Sequence, residues 1–127
     1  MSDDQDQTRD RPSLRIRILF GEDAMLGPGK ADLLEHIRDT GSIASAGRRM
    51  AMSYKRAWML VETMNKAFRA PLVESTRGGV KGGGARLTEA GAEVLDHYRK
   101  LEGIMAEAGA DRIAAIQSML RDIPEGK

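Results

Sequence analysis

Two stretches of this chain carry the residues best suited to chemistry. The first is Ser53-Tyr54-Lys55-Arg56, two hydroxyls and two cations in consecutive positions, with Met59 one turn further on. The second is STRGGVKGGGARLTEAG, residues 75–91. Five of the seven residues 78–84 are glycine, and Arg77, Lys81 and Arg86 are spaced through the segment. Both stretches offer hydrogen-bond donors and positive charge, so both suit an oxyanion. The segment is either a phosphate-cradling loop of an enzyme or the flexible tip of a β-hairpin that touches nucleic acid.

The enzyme alternative fails on spacing. A mononucleotide-binding loop needs Gly-x-x-x-x-Gly-Lys-Ser/Thr between a strand and a helix. GGVKGGGARLT contains no Gly-Lys-Ser/Thr. GPGKAD has Gly29-Lys30, but Ala31 stands where the hydroxyl belongs and Ala24 where the first glycine belongs. His36 and His97 are far apart in sequence, and there is no nucleophile elbow. No catalytic residue, metal ligand or cofactor is assigned, and the chain is not expected to be an enzyme. An oxyanion nest built from the glycine loop's N–H groups would be weak in a mobile loop.

A hairpin tip accounts for the glycines better. A loop lying along a groove needs close backbone approach and positive φ, with no room for bulk. Lys81 at the tip, with Arg77 and Arg86 on the arms, would meet phosphates or a minor groove.

Charge distribution points the same way. Net charge over the 127 residues is only +1. Residues 42–86, however, hold nine basic and two acidic side chains, a net of +7, and the segments on either side are each −3. A basic middle third flanked by acidic ends is the footprint of a polyanionic partner. The competing explanation is a solvated face whose charges meet acidic neighbours in the fold.

The elements that must position these residues follow from periodicity. Residues 14–20, LRIRILF, alternate apolar and basic and are expected to form a half-buried strand. A helix is predicted over residues 30–39 with Gly41 as its C-cap, and a second from the Ser42 N-cap over 43–50. A third runs from the Ser53 N-cap to about residue 68. Its Ala57, Val61, Met64 and Phe68 share one face, and Pro71 ends it. The opposite face then presents Lys55, Met59, Glu62 and Lys66, with Trp58 expected to pack at the edge of the core. Residues 72–75 and 85–87 are the arms of the hairpin. A further helix opens at residues 88–91 and continues past residue 101, and a last helical segment ends at Pro124.

Two short helices joined by a tight turn and followed by a hairpin make a winged helix-turn-helix. The predicted class is therefore mainly α with a small β-hairpin and a C-terminal dimerisation helix. The expected organisation is a disordered tail over 1–12, the winged helix over 13–88, and a helical dimerisation segment over 89–127. Gly91, Val94, Tyr98, Leu101, Met105 and Ala108 fall on a 3/4 spacing that suggests a helix–helix seam.

Composition agrees with a small helical domain. Aromatic residues are 4% and methionines number 8, an aliphatic core that suits packed helices. With no cysteine, disulfides and thiolate sites are excluded. The polar, acidic start MSDDQDQTRDRPS lacks the features of a signal peptide. No apolar run approaches the ~18–20 residues of a membrane span. A cytoplasmic protein with no membrane partner is expected.

The third helix would present Ser53, Tyr54, Lys55, Arg56 and Met59 to DNA. A basic helix N-terminus opposes the helix dipole, and an anionic partner relieves that mismatch. Two families of residues carry a resemblance here. TGSIASAGRRMAMSYKRAWMLVETMN, followed by LVESTRGGVKGGGARLTEAG, is similar to the N-terminal DNA-binding domain of the molybdate-dependent transcriptional regulator (ModE) family, a LysR-like winged helix-turn-helix. The resemblance covers roughly residues 14–105. It implies a homodimer that binds double-stranded DNA at a pseudo-palindromic operator, with the helix from Ser53 in the major groove and the wing on flanking backbone. In that family molybdate is sensed by a separate C-terminal region of two small β-barrel domains. The 127 residues hold no counterpart of that region, so molybdate binding by this chain is not expected. The alternative from another class is a winged-helix protein-interaction adaptor that has lost DNA binding. The +7 middle third weighs against it.

Overall fold

A computed structural model describes residues 12–79 and 82–121. Most of the expected tail, residues 1–12, and Lys81 therefore lie outside the described residues. The chain divides into two compact units, one of residues Ile16–Lys100 and one of Met1–Arg15 with Leu101–Lys127.

The larger unit starts with two short strands, β1 (Ile18–Leu19) and β2 (Met25–Leu26), paired antiparallel. The long alternating strand expected over residues 14–20 shrinks to two paired residues. Leu14 is 38% exposed and Phe20 50%. The physical reason is the partner. The chain turns at Gly21 (φ +84°), and only Met25 and Leu26 pair back before the next helix starts at Pro28.

Helix α1 (Pro28–Thr40) has proline in its first turn, where the missing N–H costs nothing, and ends on Gly41 in the left-handed conformation. The Gly41 N–H closes the cap on Ile37 O at 2.8 Å. Ala31, Leu33, Leu34 and Ile37 are fully buried. Helix α2 (Ile43–Arg49) is capped by Ser42 Oγ, which accepts from Ser45 N. Helix α3 (Tyr54–Ala67) is capped by Ser53 Oγ, which accepts from Arg56 N. Both N-caps are the serines expected from the sequence.

The turn between α2 and α3 is tight. Ala51 takes a positive φ of 57°, and Met52 N donates to Gly47 O at 2.9 Å. A β-carbon on Gly47 would sit 3.1 Å from the Ala57 β-carbon, so the two helices meet at their smallest residues.

Behind α3 comes the wing, β3 (Val73–Gly79) paired antiparallel with β4 (Gly82–Leu87). Its base is held by Asn65 of α3. Asn65 Oδ1 accepts from Leu72 N (2.8 Å) and Val73 N (3.1 Å), and Nδ2 donates to Val73 O (3.0 Å). Asn65→Ala would leave three part-buried backbone groups without partners, an expected loss of about 2–3 kcal/mol. Urea unfolding monitored by circular dichroism measures it. A midpoint equal to that of the parent protein contradicts the assignment.

The wing is also tied to the α1–α2 corner, where Ala85 N donates to Gly41 O at 2.9 Å. A β-carbon on Gly84 would lie 2.8 Å from Gly41 O and from Thr76 Oγ1. One of the five clustered glycines thus serves close packing rather than looseness.

Helix α4 (Glu89–Ala108) starts after Thr88, whose hydroxyl donates to Pro71 O (2.6 Å) and accepts from Gly91 N (3.0 Å). Gly91, Leu95 and Tyr98 are buried, and Tyr98 Oη donates to Ile16 O. Arg99 binds Asp32 (2.8 Å) and Glu35 (2.7 Å) of α1. The seam expected along α4 is thereby divided. Gly91 and Tyr98 are spent on this unit's own core, because the absent β-carbon of Gly91 makes room for the Leu72 carbonyl. In the smaller unit, Ile104 and Met105 at the end of α4 are exposed. So are Ile116, Met119 and Leu120 of α5 (Ala110–Gln117) and the residues after it.

Candidate nucleic-acid interface

Helix α3 buries Ala57, Val61 and Met64 against the core, the stripe its period predicts. That fixes the rest of the helix by geometry. Ser53, Lys55, Arg56, Met59, Leu60 and Thr63 line one shallow groove along it. Met59 is 54% exposed, and Thr63 Oγ1 donates to its carbonyl. Tyr54 (56% exposed) lies on the flank away from Arg56 and outside that groove. Five of the eight sequence-predicted site residues, Ser53, Tyr54, Lys55, Arg56 and Met59, therefore gather at the N-terminal half of one exposed helix.

Electrostatics separate these cations from others in the chain. Among the described residues no carboxylate lies within ion-pair distance of Lys55, Arg56, Arg48, Arg49 or Lys66. Arg99 and Lys100, by contrast, are each held by acidic partners. The sequence's alternative, a basic face neutralised within the fold, has no support at α2 and α3.

On α2, Arg48 and Arg49 line a second polar recess with Thr40 and Ser45, and Arg48 Nη2 donates to Ser45 Oγ at 3.0 Å. The adjacent Arg-Arg pair in a helix ending at a tight turn is the signal that marks them in the sequence.

The wing is less uniform. Arg77 lies in β3. Arg86 sits opposite Glu74 in the ladder, and its Nε donates to Glu74 Oε2 at 2.7 Å. Both side chains are largely exposed, so solvent screens the pair and the remaining guanidinium donors stay available.

Trp58, expected at the edge of the core, is 44% exposed. One residue from Ala57, it turns about 100° away from the buried stripe. Among the described residues, no group of three or more His, Asp or Glu side chains is placed to hold a metal ion. No described helix is long and apolar enough to cross a membrane.

Helix, tight turn, helix and hairpin, with the second helix exposed, define a winged helix-turn-helix. Residues 30–92 match the bacterial regulatory helix-turn-helix proteins of the lysR family. The molybdenum-pterin-binding protein MopA of Rhodobacter capsulatus is 45% identical over 83 residues, 65% of this chain and 31% of MopA. The DNA-binding transcriptional dual regulator ModE of Escherichia coli K12 is 38% identical over 81 residues, 64% of this chain and 31% of ModE. Among solved structures, full-length LysG of Corynebacterium glutamicum superposes with a TM-score of 0.54 at 23% identity, covering 74% of this chain and 30% of LysG. That likeness shows the fold alone.

The domain is therefore a ModE-like winged helix-turn-helix of the lysR type, as the SYKRAW stretch and the glycine-rich wing suggested. ModE is by its name a DNA-binding transcriptional regulator. The chain spans about a third of the length of the curated relatives it matches.

Proposed function

We propose that this chain is a sequence-specific DNA-binding transcription regulator that reads a pseudo-palindromic operator as a homodimer. The observation that carries this reading is the N-terminal half of α3. There Lys55 and Arg56 stand exposed, without acidic partners among the described residues, on the same half of the helix as Tyr54 and Met59. Helix α3 enters the major groove with these side chains toward base edges and phosphates, and the α2 arginines face the adjacent backbone. Arg77, Lys81 and Arg86 of the wing touch flanking phosphates.

A lone winged helix reads few base pairs. Two copies on half-sites about one helical turn apart give the missing specificity. The exposed Ile104, Met105, Ile116, Met119 and Leu120 supply an apolar face for the second copy.

Lys81→Ala is expected to weaken binding to all duplexes alike and to lower the salt slope by about one unit, the worth of one phosphate contact. Anisotropy titrations over a series of salt concentrations measure that slope. An unchanged slope means that Lys81 touches no phosphate. Sedimentation of the protein alone tests the dimer, and a strictly monomeric chain at the concentrations that bind DNA contradicts it.

A further inference from the structure

Trp58 is the only tryptophan of the chain, and it stands 44% exposed on α3. Tyr54, one turn before it on the same flank, is 56% exposed. Asn65 follows Trp58 by seven residues, about two turns, so it shares that flank. Its side chain holds Leu72 and Val73 at the base of the wing. The two aromatics therefore line the wing side of α3, opposite the groove of Arg56 and Thr63.

The fold leaves about half of each of these two residues exposed, although each could bury a large apolar area. Lys55, three residues before Trp58 and next to it around the helix, has no acidic partner among the described residues, and its charge suits the surface to an anionic occupant. A duplex presents hydrogen-bonding groups along nearly the whole major-groove edge. The bulkiest apolar group there is the C5-methyl of thymine. Tryptophan has a single donor and no acceptor, so it is poorly equipped to read any other base edge.

We propose that Trp58, with Tyr54 beside it, reads a thymine C5-methyl group in each half-site of the bound DNA. This rests on the regulator reading above and assigns one of its specificity contacts. Lys55 and Arg56 anchor and hydrogen-bond. Trp58 distinguishes thymine by van der Waals contact with the methyl.

The test starts from duplexes selected from a random library by the full chain. Each thymine of an enriched duplex is then replaced in turn by deoxyuridine, which removes the methyl and leaves base pairing intact. The expected result is one position per half-site at which the unmodified protein binds about fourfold more weakly per methyl removed, the worth of withdrawing one methyl-sized group from apolar contact. Trp58→Ala should bind both duplexes equally at that position, and Trp58→Phe should retain part of the sensitivity. Tryptophan emission should change on saturation with the enriched duplex.

An enriched site with no thymine in either half overturns the proposal. So does a uracil scan with no sensitive position, or one whose sensitivity survives in Trp58→Ala. A library that yields no enriched duplex overturns the regulator reading, and this contact with it. Enrichment without methyl sensitivity overturns the contact alone.

Discussion

Gly91→Ala is expected to lose at least about 3 kcal/mol of stability, despite placing a better helix former in the first turn of α4. Two effects oppose each other. Alanine in place of glycine within a helix is worth roughly 1 kcal/mol in favour of folding. Against it, the added β-carbon would run into Leu72 O and lie 2.9 Å from Leu72 C. Those atoms cannot step aside cheaply. The Leu72 N–H is bound by Asn65 Oδ1 at 2.8 Å, and its carbonyl accepts from Thr88 N at 2.9 Å. Leu72 itself is fully buried.

The clash therefore displaces α4 or the wing base, and overpacking against anchored backbone outweighs propensity. Gly103, in the same helix, is the control. A β-carbon there meets nothing within 4 Å, so Gly103→Ala should raise stability by about 0.5–1 kcal/mol. Urea unfolding of both variants decides the matter. A Gly91→Ala midpoint at or above that of the parent contradicts the packing described for the start of α4.

Lys55→Ala is expected to weaken binding to the selected operator at least about tenfold, more than Lys81→Ala does, with a loss that depends partly on sequence. Lys55 stands in the first turn of α3 with no acidic partner among the described residues and lines the groove with Arg56 and Met59. A side chain there reaches base edges as well as phosphate. Its removal should therefore lower the ratio of operator to scrambled-duplex affinity in addition to the salt slope. Competition anisotropy gives both. If discrimination survives intact and only the slope falls, Lys55 is a phosphate anchor and the bases are read elsewhere on α3. Folding is not at stake in this variant, because Lys55 is exposed and the Ser53 cap is untouched.

Local features of the sequence were enough to place α1 to α4, whereas the last helix, expected to run to Pro124, ends at Gln117. Ser42 and Ser53 cap where their types suggest, Gly41 takes the left-handed C-cap, and the stripe of Ala57, Val61 and Met64 faces the core. The hairpin was legible from its glycines and flanking apolar residues. What escaped is what depends on distant partners. The alternation of residues 14–20 promised a longer strand, but pairing is limited by a two-residue partner. Asn65 looked like an ordinary helical position, yet its side chain is the clasp between α3 and the wing, seven and eight residues away.

The 3/4 spacing of α4 resembled a single seam because period alone cannot tell a residue facing its own core from one facing a second chain. Gly91 and Tyr98 belong to the first kind. At the site, the cluster from Ser53 to Met59 follows from helical geometry once the buried face is known. The Glu74–Arg86 pair and the exposure of Trp58 needed the folded hairpin and the actual tilt of the helix.

The central claim is that this winged helix binds specific DNA through α3. The most direct measurement is fluorescence anisotropy of a labelled duplex from the gene's own upstream region. The protein is titrated in at two salt concentrations against an unlabelled scrambled competitor. The predicted result is binding that survives the competitor and weakens as salt rises. Absence of binding at low salt, where even non-specific attraction of a basic helix to phosphate should register, would contradict it.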